Sequence, residues 1–321
     1  MTAKGVSMKC LFAVHGEPST RMLASTGTGG ERADGTKSRC RRSPSNRVFM
    51  PVPGVALRME TVTHHGRETA YDVVDRGGDG PPICFVHGSG GSSDIWAGQQ
   101  SLATSHPIVT MDLSGHGDSD DIDASAGYSA LSAYADDVLA VVDATSSEHL
   151  VGNSLGGAVV LQILLEREYD PEAAVLTGTG ARLGVLEDLL TWLESDFQRA
   201  VEFLHGPDRL FHDPDPALRE RSMERMHETG RAVTNRDFLT CHGFDVRDRV
   251  AEIETPTLAV YGEYDQLTPP WFHEYLADEI DGASLGEIED AAHLAMAEQP
   301  AAFNGVVEDF LAGIADDRNG D

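Results

Sequence analysis

Short apolar runs recur along the chain, separated by segments whose apolar positions are three and four residues apart. Residues 57–63 and 68–74 read as strands, followed by a turn at 76–82 with three Gly and two Pro. Residues 82–87 (PICFVH) form a short buried strand running into Gly88-Ser-Gly-Gly91. Further strands are expected at 108–112, 150–153, 173–177, 257–261 and 283–288. Between them, Leu131, Tyr134, Val138 and Val142 share one helix face, and 154–168 is an apolar run too long for a strand. A closing helix after Pro300 gathers Phe303, Val307, Phe310, Leu311 and Ile314. Strands alternating with helical crossovers predict the α/β class: a doubly wound, mainly parallel sheet of about eight strands.

The alternation is interrupted once. Between Gly180 and about Gly243 no strand pattern appears, while Leu186, Leu189, Leu190, Leu193, Phe197, Val201 and Leu204 keep helical spacing over several turns. This predicts a helical lid at 181–243, roughly 60 residues and longer than an ordinary α/β connection. It would be inserted into a core made of 50–180 and 244–321. Residues 1–49 are rich in Ser, Gly, Thr and Arg without periodicity. They are expected to be disordered or translated upstream sequence, with Met50 or Met59 as the genuine start.

Charge sharpens that division. The chain carries 24 basic and 53 acidic residues, a net −29 with His neutral. All three lysines and six of the arginines precede residue 49, and everything after is Lys-free, with 15 arginines against 50 carboxylates. Such a body resembles proteins of organisms that keep molar salt in the cytoplasm, where screening relieves self-repulsion. It lacks the basic footprint of a nucleic-acid or anionic-membrane binder. No stretch approaches the ~20 apolar residues of a membrane span, and the leader lacks a continuous apolar core of the secretory kind. A cytoplasmic protein is expected. Cys10, Cys40, Cys84 and Cys241 show no paired spacing, so neither a metal site nor a disulfide framework is read from them, and no cofactor is implied.

The candidate chemistry lies at Gly152-Asn153-Ser154-Leu155-Gly156-Gly157, directly after a strand and opening a helix. This is the G-x-S-x-G nucleophile elbow, where small residues flanking the serine permit a strained turn that exposes its Oγ above the sheet. The helix it opens aims its positive dipole end at the same place. A serine hydroxyl needs a neutral imidazole as base and a buried carboxylate to fix the imidazole tautomer. Ser154, Asp265 and His293 follow the chain order serine, acid, histidine, each after an apolar strand, so all three should emerge at one sheet edge.

Four further segments complete a resemblance. His87-Gly-Ser-Gly-Gly91 with Trp96, Asp112-Leu-Ser-Gly-His-Gly-Asp-Ser119, Tyr261-Gly-Glu-Tyr-Asp265 and Asp290-Ala-Ala-His293 occur in order with the elbow. Over residues 57–315 the chain resembles the α/β-hydrolase superfamily of the type with a helical lid. That resemblance implies a serine hydrolase, carboxylesterase-like, acting on an uncharged or modestly polar ester among small-molecule substrates. Its oxyanion hole would use the backbone amides of Leu155 and Ser89, with Gly90 as the alternative second donor. The Ser89 hydroxyl either braces its own turn or meets substrate.

Other assignments have less behind them. His87 and His116 lie in Gly-rich loops and resemble structural members of their motifs. Glu263 is the alternative acid, and Asp290 reads as a turn residue. His64 and His65 alternate across a strand and read as surface rather than metal ligands. Within the superfamily a carbon-carbon bond hydrolase of the meta-cleavage-product type is the second reading, since G-N-S-x-G-G also resembles that group. Leu294 replaces the Trp that group carries after its His, and the oxyanion loop lacks its Pro. Cofactor-free haloperoxidase and acyltransferase activity, and a non-catalytic ligand-binding protein on the same scaffold, are the remaining alternatives.

Overall fold

The computed structural model describes residues 59–320. The expectations for residues 1–49, for Met50, and for Cys10 and Cys40 lie outside the described residues. Cys84 and Cys241 are both buried free thiols.

Eight strands form one sheet: β1 (Glu60–His64), β2 (Arg67–Val74), β3 (Ile83–Val86), β4 (Ile108–Met111), β5 (His149–Asn153), β6 (Ala173–Thr177), β7 (Thr257–Gly262) and β8 (Ser284–Ile288). Their spatial order is β1-β2-β4-β3-β5-β6-β7-β8. β2 runs antiparallel to β1 and β4, and every other pair is parallel. The helices are α1 (Tyr128–Thr145), α2 (Leu155–Glu166), α3 (Glu187–Ser195), α4 (Phe197–Leu204), α5 (Pro216–Gly243), α6 (Pro270–Glu279), α7 (Ala295–Glu298) and α8 (Pro300–Gly320).

β3, β5, β6 and β7 are buried along their whole length, which is why their middles appear in the sequence as short apolar runs rather than alternations. Successive side chains still go to opposite faces. Cys84 and Val86 join Leu150, Leu176, α1 and α2 on one face, while Ile83 and Phe85 join Val151, Trp96 and α8 on the other. On α1 the stripe Leu131, Tyr134, Val138, Val142 is buried as its spacing requires. On α8 Phe303, Val307 and Leu311 are buried, and Phe310 and Ile314 sit half-buried at the margin. In α2 every residue from Leu155 to Ile163 is buried, so this helix has no polar face.

Two local expectations change. The helical spacing of 186–204 is not one helix: Asp196 takes an extended φ of −145° and its carboxylate accepts the Arg199 amide at 3.4 Å, ending α3 and capping α4. His64 and His65 do not alternate across a strand either. β1 ends at His64, and His65 is in the following turn with φ 47°. His64 is also no bland surface residue, since its Nε2 lies 2.7 Å from Thr69 Oγ1 and 3.3 Å from Asp137.

Helices α3–α5 fill the interval between β6 and β7. The chain leaves and rejoins the sheet through a paired neck, in which the Leu183 amide donates to the Phe244 carbonyl at 3.3 Å and the Val246 amide to the Ala181 carbonyl at 2.8 Å.

Candidate active site

The parallel registers Val86↔Gly152, Asn153↔Thr177 and Gly262↔Ile288 bring the carboxyl ends of β3, β5, β6, β7 and β8 to one edge. Ser154 follows β5 directly, Ser89 lies just past β3, Asp265 past β7 and His293 past β8. All four predicted segments therefore emerge together, where parallel α/β sheets hold their sites.

Ser154 has φ 55° and ψ −115°, a conformation that costs a non-glycine residue about 1–3 kcal/mol. The surroundings hold it there. Its amide donates to the Thr177 carbonyl at 3.0 Å, and its carbonyl accepts the Thr179 hydroxyl at 2.9 Å and the Ala158 amide at 3.1 Å. The turn is also so tight that a Cβ on Gly152 would strike the Gly156 backbone, and one on Gly156 the Val86 carbonyl. Only glycine fits either place.

Asp265 and His293 are brought into contact, with His293 Nδ1 2.9 Å from Asp265 Oδ2. Both are buried. The carboxylate accepts four hydrogen bonds: Oδ1 takes the amides of Leu267 (2.8 Å) and Thr268 (2.9 Å), and Oδ2 takes the Thr268 hydroxyl (2.7 Å) and the imidazole. Burial works against its charge, but attraction to His293 and these hydrogen bonds outweigh it and hold the carboxyl below its ordinary range. With Nδ1–H committed to Asp265, the lone pair of His293 is on Nε2. Glu263, the alternative acid, instead accepts the Asp290 amide at 3.2 Å. Asp290 takes φ 52°, in keeping with a turn residue.

The side chain of Asn153 connects the elbow to the histidine loop, its Nδ2 donating to the carbonyls of Thr177 (3.2 Å) and His293 (3.4 Å). The loop after β3 closes in on both Asn153 and the serine: a Cβ at Gly88 would sit 2.9 Å from Asn153 Oδ1 and 3.0 Å from Ser154 Cβ. Among the described residues neither the Leu155 nor the Ser89 amide donates to another protein group, whereas the Gly90 amide donates to Asp237 Oδ2 at 3.1 Å. Gly90 N–H is thereby already engaged. The Ser89 hydroxyl contacts Cys241 Sγ at 3.7 Å.

The two Gly-loop histidines differ in charge. His87 Nδ1 donates to the Gly88 carbonyl at 2.8 Å and Nε2 accepts the Leu113 amide at 3.1 Å, so it is neutral. Burial, with the charge of His116 beside it, depresses it to about 4. His116 faces two acceptors, the Ser114 carbonyl at 3.2 Å and Asp237 Oδ2 at 2.9 Å, so both its nitrogens carry protons. Among the described residues no three His, Cys, Asp or Glu side chains converge as metal ligands, and no described helix is long and apolar enough to cross a membrane.

This arrangement has relatives. The profile of the alpha/beta hydrolase family matches residues 85–306. The chain belongs to the alpha/beta hydrolase family. A Rhizobium rhizogenes protein named for carbamate hydrolysis, RutD, is 31% identical over 260 residues, 73% of this chain and 93% of its own length. The pimeloyl-[acyl-carrier protein] methyl ester esterase of Neisseria meningitidis serogroup A is 27% identical over 259 residues, 74% of this chain and 79% of its own. Among solved structures, a thermophilic esterase superposes with TM-score 0.69 at 26% identity, covering 79% of this chain and 97% of that one.

Two buried contacts at this sheet edge were not foreseen from the sequence. Thr268, in the turn after Asp265, had a readable signal in the D-x-x-T spacing that lets a carboxylate accept the amide and hydroxyl three residues on. Asp237 had none, being one acidic residue among many in a polar helix.

Proposed function

We propose that this chain is a serine hydrolase cleaving a small carboxylic ester through an acyl-enzyme on Ser154. The observation that carries the reading is the buried Asp265–His293 contact at 2.9 Å on the sheet edge where Ser154 is held in its strained turn. Ser154 Oγ attacks the ester carbonyl carbon while its proton passes to His293 Nε2. The tetrahedral oxyanion accepts hydrogen bonds from the Leu155 and Ser89 amides. Collapse breaks the bond to the alkoxy oxygen, which leaves with the proton from His293. Water then attacks the acyl carbon, giving its proton to Nε2, and the second collapse returns Ser154 and frees the acid. Asp265 stays ionised throughout, orienting the ring and stabilising the imidazolium.

Relatives named for methyl ester and carbamate cleavage support hydrolysis of a small carbonyl substrate. Helices α3–α5 serve as the lid over the pocket, within the limits 181–243 set by the sequence. Leu294 stands where the carbon-carbon hydrolases carry Trp, which favours ester over carbon-carbon cleavage. The acidic, Lys-free body suits a cytoplasm at molar salt.

The test is covalent labelling by a fluorophosphonate beside turnover of p-nitrophenyl esters of graded chain length and of a vinylogous diketone. Labelling and ester turnover that both vanish in Ser154→Ala and His293→Ala are expected, with losses of about 10³-fold or more in kcat. A folded Ser154→Ala with near-parental activity, or preference for the diketone, would overturn the ester reading. Absence of labelling in the parent would leave the non-catalytic scaffold.

A further inference from the structure

The carboxylate of Asp237 belongs to α5, far in sequence from the Gly-rich loop after β3, yet it is fully buried and accepts three hydrogen bonds, one from that loop, one from the loop after β4 and one from α1. Oδ2 accepts the Gly90 amide at 3.1 Å and His116 Nε2 at 2.9 Å, and Oδ1 accepts the Tyr134 hydroxyl at 2.7 Å. Arg236 backs the arrangement, donating to the Tyr134 oxygen at 3.0 Å and to the Ser114 carbonyl at 3.3 Å. α5 is broken at Gly230, where φ is 81° and ψ 164°, and the half before the break holds the loop at two more points. Thr229 Oγ1 donates to the Gly90 carbonyl at 3.3 Å, and Met226 packs so closely that a Cβ on Gly90 would sit 3.1 Å from its Cγ.

A buried carboxylate must recover its desolvation cost through good hydrogen bonds and charge pairing, and removing its partners is expensive. Here the pairing is with His116, whose two acceptor neighbours require it to be an imidazolium. One of the carboxylate's bonds goes to Gly90, whose φ of 67° puts the backbone in a left-handed turn. Gly90 N–H lies in the peptide plane that follows Ser89, so holding that plane leaves only the Ser89 φ and ψ between it and the Ser89 N–H. An oxyanion donor is effective only when already aimed at the place where charge develops.

We infer that Asp237 is a positioning residue for the oxyanion hole: by pinning Gly90 N–H it aims the Ser89 amide toward Ser154. The pin comes from α5, so the helical excursion completes the catalytic edge of the sheet as well as covering it. The inference rests on the serine-hydrolase reading with Ser89 as an oxyanion donor. Asp237 itself touches no reacting atom. Its effect is on the tetrahedral state and not on ground-state binding of substrate.

The experiment compares the full chain with Asp237→Asn and Asp237→Glu in molar KCl. Active sites are counted by fluorophosphonate titration, and kcat, KM and the inhibition constant of an alkyl trifluoromethyl ketone are measured. That ketone adds Ser154 Oγ reversibly at its carbonyl carbon, the proton passing to His293 and the charge remaining on the former carbonyl oxygen, so its affinity reads the oxyanion hole. Both variants should lose about 10- to 100-fold in kcat per titrated site, less than outright removal of a donor. Ketone affinity should fall by a similar factor while KM stays within about threefold. Asp237→Glu keeps the charge pair while displacing the oxygens, so it answers the question if Asp237→Asn does not fold. Val138→Ala, in the α1 core, serves as the control for lost stability alone and should lower Tm without altering kcat per site. If a folded Asp237 variant keeps kcat and ketone affinity within twofold of the parent, or loses KM and kcat alike as substrate binding fails, the inference is overturned. A parent that is neither labelled nor sensitive to Ser154→Ala would instead sink the hydrolase reading beneath it.

Discussion

Thr268 gives its hydroxyl proton to Asp265 Oδ2 at 2.7 Å, on the same oxygen that accepts His293 Nδ1–H. The hydroxyl oxygen is also 3.2 Å from that nitrogen, so it closes a three-membered cluster around one proton. Replacing Thr268 by Val keeps the shape and the backbone donor but removes the O–H. A hydrogen bond to a charged group contributes about 1.5–3 kcal/mol, only part of which reaches the transition state, so a loss of about 3- to 30-fold in kcat/KM is expected. Thr268→Ser should recover most of it. Steady-state kinetics on the best p-nitrophenyl ester decide, and a Val variant as active as the parent would show that the other three bonds to Asp265 suffice.

Ser154 trades stability for position. At φ 55° and ψ −115° a glycine is unstrained, whereas alanine keeps the Cβ penalty. Both substitutions delete the hydroxyl, so Ser154→Gly and Ser154→Ala should be equally inactive. They should differ in melting by about 2–4 °C in favour of glycine, the shift corresponding to ~1 kcal/mol in a domain of this size. Paired calorimetric scans measure the difference, and an alanine variant melting at or above the glycine one contradicts the strain argument.

The charged imidazole of His116 ties stability to pH. Burial and the nearby Arg236 lower its proton affinity, but Asp237 and the Ser114 carbonyl outweigh them, and the folded-state value lies above the ordinary one. His87 and Tyr134 also face the ring. The resulting stabilisation is complete below the unfolded value of about 6.5 and is lost as the pH rises through the folded value. Tm should therefore fall more steeply on the alkaline side in the parent than in His116→Gln, which carries no such charge. Parallel slopes in melts taken from about pH 6 to 10 would refute this linkage.

Beyond residue 48, fifty carboxylates face fifteen arginines. Against a net stability of only about 5–15 kcal/mol that self-repulsion matters. Tm and ester turnover should rise together from dilute buffer toward molar KCl, with slow inactivation on dialysis into low salt. The screening length shortens from about 10 Å at 0.1 M to about 3 Å at 1 M. A flat or falling Tm over that range excludes the salt-adapted reading and leaves the hydrolase reading untouched.

The sheet was readable because its central strands are buried on both faces, so that ICFV, AAVLT and the short LV core of HLVGN stand out as apolar runs. The elbow was readable because steric necessity places glycine at 152 and 156. Partners that act through a single long-range contact left no such trace. Asp237 lies 147 residues from Gly90 in sequence, and nothing in α5 distinguishes it from its acidic neighbours. Likewise the break at Asp196 falls inside an apolar spacing that continues through it. Periodicity reports which face is buried and is blind to a single cap residue that redirects the axis.

The neck at 181–183 and 244–246 makes the stretch between its arms a side branch of the chain, whose two ends are held together before the sheet resumes. The neck holds residues 181–183 against 244–246 ahead of β7, so the branch can vary wherever it does not hold the loop after β3. On the reading of α3–α5 as a lid, the pocket wall can then change while the sheet stays constant. A branch that arrives without a carboxylate at position 237 would fit the sheet and still leave Gly90 N–H unpartnered, so only donors carrying that one acid should transplant with rate intact.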